Sequence, residues 1–450
     1  MKDHKYAGFN PPLKLAMHPQ FGKLVAGERG VYPINVEISP SGICTASCSF
    51  CLVAGTMIAA EGVSGIPIEQ VRVGQCVLTR KGWRQVIQAG ETKRVTEVLS
   101  VLFSSGSIVT GTPDHLVWTD NRGWISLGEL QVQDTVQCCV ETAMSWDGKA
   151  PTSWPIQFVK RTFDDPIPVY DIAVEDAHEF FANGILVHNC FYANTGELGS
   201  HRKVFLDTIK TAELLSEMAS LGVKSVSWTG GGDPSLHPEI GTLVDSAAID
   251  DLKQGMFTNA LAKIRFNPTL LDWVRVTMTD KPFNLENIRQ LRQCKTLGFA
   301  FNWSGSQDED YLKQTLDVAY AVKADYVQVR PALKFHGQTV DIEPPAFDDP
   351  MMQVTGYKFD EAKHKHGYAD CVAYHLVPFV WEDGNVDVCS YMRKYPGYTL
   401  GNVYQDSFKA IMDRAPQSVP VLDSCQVCCR LHEANKYVHQ ARSVPDADFP

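Results

Sequence analysis

The chain has 450 residues, 44% of them hydrophobic and 21% charged, with a formal net charge of -11; this composition suits a soluble globular protein of more than one domain. The acidic balance excludes non-specific binding to nucleic acid or to an anionic membrane, since both require a positive surface. Residues 1–23 are polar and Pro-interrupted, and no run of 18 apolar residues occurs, so a cytoplasmic protein with no membrane and no nucleic-acid partner is expected.

Residues 1–35 read as loop. Alternation over 36–39 predicts a strand, ended by the turn Pro40-Ser41-Gly42 that leads into the first cysteines. From Cys51 to Asn189 the texture changes to short β-like runs at 66–73, 76–79, 96–103, 107–110, 116–119 and 169–174, separated by Gly, Pro and Asp-Gly. Helical periodicity is absent there, which predicts an all-β domain. After Cys190 the pattern alternates. Helices are expected over 206–221, 239–248, 285–297 and 308–322, and strands over 225–229, 254–258, 274–278, 299–303 and 326–329. With the first strand these make six, an α/β series closing toward a partial (β/α)6 TIM-like barrel. The all-β segment interrupts the first strand-to-helix connection and so reads as an insertion. Residues 335–360, with Pro344, Pro345 and Pro350, read as a linker. A hairpin follows over 379–389, turning at Asp383-Gly384, then a helix near 405–414 and a Cys-rich end. The expected domains are 1–50, 51–189, 190–335 and 336–450, the last a small α+β unit.

Thirteen cysteines are many for a reducing compartment, where disulfides do not persist. Their grouping points instead to metal or nucleophile chemistry. Cys44, Cys48 and Cys51 form a C-x3-C-x2-C triplet, and removing 51–189 leaves Cys44, Cys48 and Cys190 at the same spacing. Three thiolates on one loop can ligate three irons of a [4Fe-4S] cube and leave the fourth open. The ends of the removable segment carry the groups needed to exchange peptide bonds without an outside energy source. Cys51 can attack the Phe50 carbonyl to give a thioester, and Cys190 can take over the acyl group. Asn189 can then cyclise through its side-chain amide and release the segment, after which a sulfur-to-nitrogen shift joins Phe50 to Cys190. Thr112 and His115 offer a hydroxyl and an imidazole to the first scissile amide; His178 and His188 suit proton transfer around Asn189.

On these residues the segment resembles a mini-intein of the Hint fold. The opening block is Cys51-Leu-Val-Ala-Gly-Thr56-Met-Ile58, the Thr-x-x-His block is Thr112-Pro113-Asp114-His115, and the closing blocks are Val169-Tyr-Asp171 with His178, His188, Asn189 and Cys190. The resemblance implies that His115 activates the N-terminal amide, that His178 and His188 aid cyclisation of Asn189, and that Asp171 coordinates the steps. The roughly fifty residues between Thr119 and Val169 are too few for a homing endonuclease, so DNA cleavage is not expected.

The rejoined loop on a six-stranded series resembles the radical SAM superfamily. That resemblance implies S-adenosyl-L-methionine (SAM) on the open iron, one-electron cleavage to a 5'-deoxyadenosyl radical, and hydrogen abstraction from a peptide or small molecule that no residue identifies. It also implies a flavodoxin- or ferredoxin-type electron donor. Gly230, Gly231, Gly232 and Asp233 resemble the family's Gly-Gly-Glu-type loop; glycine suits close approach of a ligand to the main chain. Thr258, Asn259, Thr277 and Arg330 at strand ends are further candidate SAM or substrate contacts. Cys371, Cys389, Cys425 and Cys428 resemble the ligands of an auxiliary [4Fe-4S] cluster in a twitch or SPASM extension, with Cys429 able to replace Cys428. A zinc knuckle uses the same four thiolates. Cys76, Cys138, Cys139 and Cys294 read as small buried hydrophobes. The alternative to a self-splicing precursor is a chain that persists at full length as a metal-binding or scaffold protein.

Overall fold

The computed structural model describes residues 11–42, 51–113, 115–138, 152–174, 179–188, 204–230, 232–277, 283–305, 308–333, 339–393, 395, 397–423 and 425–444. The chain divides into two compact units, Met1–Ala46 with His201–Pro450, and Ser47–Ser200. The expected insertion, 51–189, lies within the second. No helix among the described residues is long and apolar enough to cross a membrane.

In the first unit, parallel strands at Asn35–Ile38, Ser225–Trp228, Lys253–Thr258, Trp273–Thr277, Leu297–Trp303 and Tyr326–Pro331 lie side by side in chain order. Helices Thr208–Ser220, Ile240–Ile249, Leu285–Leu291 and Glu309–Ala321 fall between them. Asp207 and Asn284 start two of these by accepting hydrogen bonds from the amides of Lys210 and Asn287, which satisfies donors that a helix leaves unpaired. The third helix stops at Leu291, short of its expected end, because Leu297 already belongs to the next strand.

The two faces of this sheet differ in chemistry. Val36, Ile38, Val226, Trp228, Val274, Val276, Phe299, Phe301, Val327 and Val329 join the helices in one apolar core. Strand register sets Asn35, Glu37, Ser227, Gly255, Arg275, Thr277, Ala300, Asn302 and Arg330 on the opposite face. Parallel sheets covered by apolar layers on both sides read as continuous hydrophobic runs. Here the opposite face mixes polar and small residues with aromatic rings, Arg275 lying over Phe257, Trp273 and Tyr326, so the strands alternate.

Two expectations change. The stretch expected as linker contributes a further parallel strand, Met352–Val354, beside Tyr326–Pro331, and the helix Gly356–Glu361; its three prolines fall before the strand. The region 336–450, expected as a separate unit, extends the same sheet. Phe379–Val380 pairs with Asn35–Ile38 and begins the expected hairpin, followed by Asn385–Asp387 and Thr399–Asn402. The resulting ten strands run from Met352–Val354 at one edge to Thr399–Asn402 at the other. Among the described residues the sheet does not close on itself by pairing. The helices Pro11–Ala16, Pro19–Val25 and His432–Arg442 were not foreseen.

The second unit is built on two antiparallel strands of unusual length, Gly82–Phe103 and Thr152–Val174. Only their ends, near 96–103 and 169–174, carry a clear sequence signal. Pro155, Pro166 and Pro168 break the pattern elsewhere, yet the ladder absorbs them: it shifts register between Phe163 and Ile167, around Pro166, and bulges are where a strand tolerates proline. Leu52–Val53 pairs with Thr152–Val174 on its other side. Leu52, Ile58, Leu99, Val101, Phe103, Val117, Ile172, Phe180 and Val187 fill the core between them.

One ion pair, between an exposed arginine and a buried aspartate, fastens a corner of this unit. Asp134, fully buried, accepts from the Arg122 guanidinium (2.8 Å from Nε), from Asn121 (2.9 Å) and from the Gln131 amide (2.8 Å). Arg122 first, then these bonds, hold its carboxyl down to about 2. The unfolded chain takes up this proton at higher pH than the folded one does. The stabilisation is therefore present above about pH 4 and is lost as the pH falls toward 2, a loss of about 2 kcal/mol. Asp134→Asn is expected to remove this pH dependence from the denaturation midpoint of the unit and to lower that midpoint at neutral pH.

Candidate functional site

In the second unit the main chain of Cys51 is clasped by Thr112. The Cys51 amide donates to Thr112 Oγ1 at 3.1 Å, and the Thr112 amide donates to the Cys51 carbonyl at 2.9 Å. Gly111 pairs with Leu52 beside this clasp, and a Cβ on it would stand 2.7 Å from the Cys51 carbonyl oxygen. The Cys51 sulfur lies 2.8 Å from Thr92 Oγ1. From Thr112 the chain turns at once, with the His115 amide donating to the Thr112 carbonyl at 2.9 Å, and strand Leu116–Thr119 begins.

Strand register relates the remaining candidates to Cys51 and His115. Tyr170 pairs with Leu52 and Val169 with Val53, antiparallel; one further step of that register brings Asp171 across from Cys51. Val187 pairs with Val117, which brings His188 beside Leu116, the residue after His115. Cys51, Thr112, His115, Asp171 and His188 are all buried, so charge developing among them is little screened by water. The His188 ring meets Trp124 edge to face, centroids 4.9 Å apart. On the neighbouring strand Glu179, paired with His188, binds Arg80 through both carboxylate oxygens, and that guanidinium stacks on Trp118 at 4.2 Å. The sequence reading missed Thr92, Trp124, Arg80 and Glu179, which carry no motif. His178, Asn189 and Cys190 lie outside the described residues.

Of the candidates expected to serve the α/β series, Cys44, Cys48, Cys190 and Gly231 also lie outside the described residues. Gly230 sits at φ +143°, and a Cβ there would fall 2.0 Å from Ser39 Oγ. Its lack of a side chain lets the loop pack against the end of the first strand. Asp233 is buried, with its carboxylate held by the Ser235 amide and hydroxyl (2.9 and 2.6 Å), the Thr258 hydroxyl (2.9 Å) and the Asn259 amide (2.8 Å). It fastens the loop to the next strand through the Thr258 hydroxyl and the Asn259 main-chain amide. Thr277 and Arg330 lie on the polar face, and Arg330 Nε donates to Asn302 Oδ1 at 2.8 Å. Ser39 itself is anchored to Glu382 Oε2 at 3.2 Å, whose other oxygen takes the Arg393 guanidinium at 2.7 Å.

The C-terminal cysteines sort differently from their spacing. Cys371, Cys389, Cys425 and Cys429 pack on one cluster, whereas Cys428 belongs to another with Val340 and Ala362. Burial pushes Cys389 well above the usual thiol range, Cys371 up to about 11 and Cys429 up to about 12, and neighbouring thiols of the set add to each. Burial also raises Cys428, but its neighbours are Lys358, Glu361 and Glu433. Cys428 has φ +47°, which accompanies the separation of the adjacent sulfurs. The expected fourth thiol, Cys428, is therefore replaced by Cys429. Two sulfurs of the set accept hydrogen bonds: Cys371 from Asn435 Nδ2 at 3.2 Å and Cys425 from the Leu422 amide at 3.3 Å.

No protein-family model matches the chain, and no curated protein matches it. Similar solved structures are inteins and intein-like domains, each covering about a third of the chain. An intein-like domain from Clostridium thermocellum is 26% identical, covers 31% of this chain and 98% of its own, and has a TM-score of 0.26. A DnaB intein from Synechocystis sp. PCC 6803 is 18% identical with a TM-score of 0.27, over 31% of this chain and 98% of its own. The gp41-1 intein is 22% identical with a TM-score of 0.26, over the same shares.

Gly111→Ala tests the clasp. A methyl driven against the Cys51 carbonyl is expected to destabilise the all-β unit by about 1–3 kcal/mol, read as a lower denaturant midpoint.

Proposed function

We propose that residues 51–189 are a self-splicing segment of the intein type, and that its host is a radical SAM enzyme. The observation that carries the first part is the two-way clasp of Cys51 by Thr112, with His115, Asp171 and His188 also buried on strands that pair around it. Attack of the Cys51 sulfur on the Phe50 carbonyl forms a C–S bond and breaks the C–N bond to Cys51. The leaving nitrogen is the atom that Thr112 Oγ1 holds. Fixing it while the sulfur turns makes the exchange effectively intramolecular. His115, one turn away, suits delivery of a proton to that nitrogen, and His188, at the other end of the segment, suits cyclisation of Asn189.

The host reading rests on the spacing of Cys44, Cys48 and Cys190, on the polar face of an otherwise apolar-backed sheet, and on the four gathered thiols. Four cysteines packed on one cluster suit either a [4Fe-4S] core or a tetrahedral zinc, and the Cys44, Cys48 and Cys190 spacing favours iron-sulfur chemistry in the same chain. Buried thiols with raised proton affinity need a cationic core to become thiolates. Cys371, Cys389, Cys425 and Cys429 would hold an auxiliary [4Fe-4S] cluster, with Asn435 and the Leu422 amide donating to its sulfurs. When bound, the cluster at the N-terminal triplet supplies one electron for cleavage of SAM to a carbon radical. Thr277, Asn302 and Arg330 on the polar face would orient what binds there.

Intact mass of the full chain under anaerobic, reducing conditions tests the splicing reading. The expected products are a joined chain of 311 residues and a free segment of 139 residues; a chain that stays at 450 residues overturns it and leaves the full-length metal-binding protein. Asn189→Ala should accumulate precursor that added thiol cleaves before Cys51. Iron content separates the cysteines: Cys429→Ser should lose about one cluster's worth of iron, and Cys428→Ser should keep it.

A further inference from the structure

We propose that Thr92 is a catalytic residue of the first splicing step, an assignment that rests on the self-splicing reading above. Its hydroxyl first receives the thiol proton of Cys51 in a hydrogen bond and then donates to the sulfur as that proton leaves.

The geometry begins with a defect in the ladder between the two long strands. Val169 pairs with Lys93 and Tyr170 with Glu91, so Thr92 is the extra residue of a bulge. On the other side of the same strand no residue is skipped: Val169 pairs with Val53 and Tyr170 with Leu52. Bulges re-aim a side chain that regular alternation would send elsewhere. Here the Thr92 hydroxyl meets two atoms, the Val169 carbonyl oxygen at 2.9 Å and the Cys51 sulfur at 2.8 Å. A hydroxyl has one proton and two lone pairs. With its proton on Val169, its oxygen accepts from the Cys51 S–H, which fixes both the sulfur and the direction of its proton.

In the reaction the sulfur bonds to the Phe50 carbonyl carbon, the bond from that carbon to the Cys51 nitrogen breaks, and the thiol proton ends on the departing amine. As the sulfur gains negative charge, a turn about the Thr92 C–O bond moves the hydroxyl proton from Val169 to sulfur. The donor then acts on charge that exists only during attack, which is the kind of contact that accelerates a step. Thr112 and Thr92 divide the work: one holds the nitrogen that leaves, the other the sulfur that arrives.

The test separates the two scissile bonds within the full chain. In an Asn189→Ala parent, dithiothreitol-dependent cleavage before Cys51 reports thioester formation; in a Cys51→Ala parent, cleavage after Asn189 reports cyclisation. Thr92→Val is expected to slow the first about tenfold or more, the loss of one hydrogen bond to a charged atom, and to leave the second unchanged. Thr92→Ser is expected to restore the first to within about threefold. Unaltered thiol cleavage in Thr92→Val, equal slowing of both cleavages, or a serine variant as slow as valine overturns the assignment. A parent Asn189→Ala chain that yields no thiol-dependent fragment overturns the splicing reading itself, and this assignment with it.

Discussion

The all-β unit is organised around how firmly one residue's backbone is gripped. Thr112 binds the nitrogen of Cys51 with its side chain and the oxygen of Cys51 with its own amide, and Gly111 leaves the gap that lets the two chains approach. Without that approach the short strand after Cys51 would not pair with Thr152–Val174, and Asp171 would lose its place across from the nucleophile. The long two-stranded ladder makes the grip rigid. Its bulges admit prolines that would otherwise end a strand, and at Thr92 a bulge turns a hydroxyl toward sulfur.

Much of this was legible in the chain because the proposed splicing chemistry asks for particular residue types at the ends of the segment. Cys51, Thr112, His115, Asp171 and His188 stand out as motifs, and the register of separate strands gathers them. What could not be read was their scaffold. Thr92 sits in a run, Gly90-Glu91-Thr92-Lys93-Arg94, that offers no apolar alternation, and its role depends on a skipped pairing that only the partner strand defines. Trp124 and the Arg80–Glu179 pair likewise act through contacts between distant strands.

In the other unit the strands and helices of the α/β series were legible from period and length, because each helix buries one stripe against the same apolar face. The polar face was visible only as alternation within strands too short to make it plain. Asp233 and Gly230 also have work within the fold that a motif does not reveal: one accepts hydrogen bonds that tie its loop to the next strand, and the other packs on Ser39. Spacing failed at Cys428 because two neighbouring residues, one with left-handed backbone, send their sulfurs to different clusters.

The strand Met352–Val354 covers one edge of the parallel series, and Phe379–Val380 with its hairpin covers the other. Chain that follows the last expected strand thus embraces the sheet from both sides, like the two jaws of a brace. Unpaired strand edges recruit other chains. A protein shortened before that brace would bare two adhesive borders at once, so the terminal quarter guards against self-association.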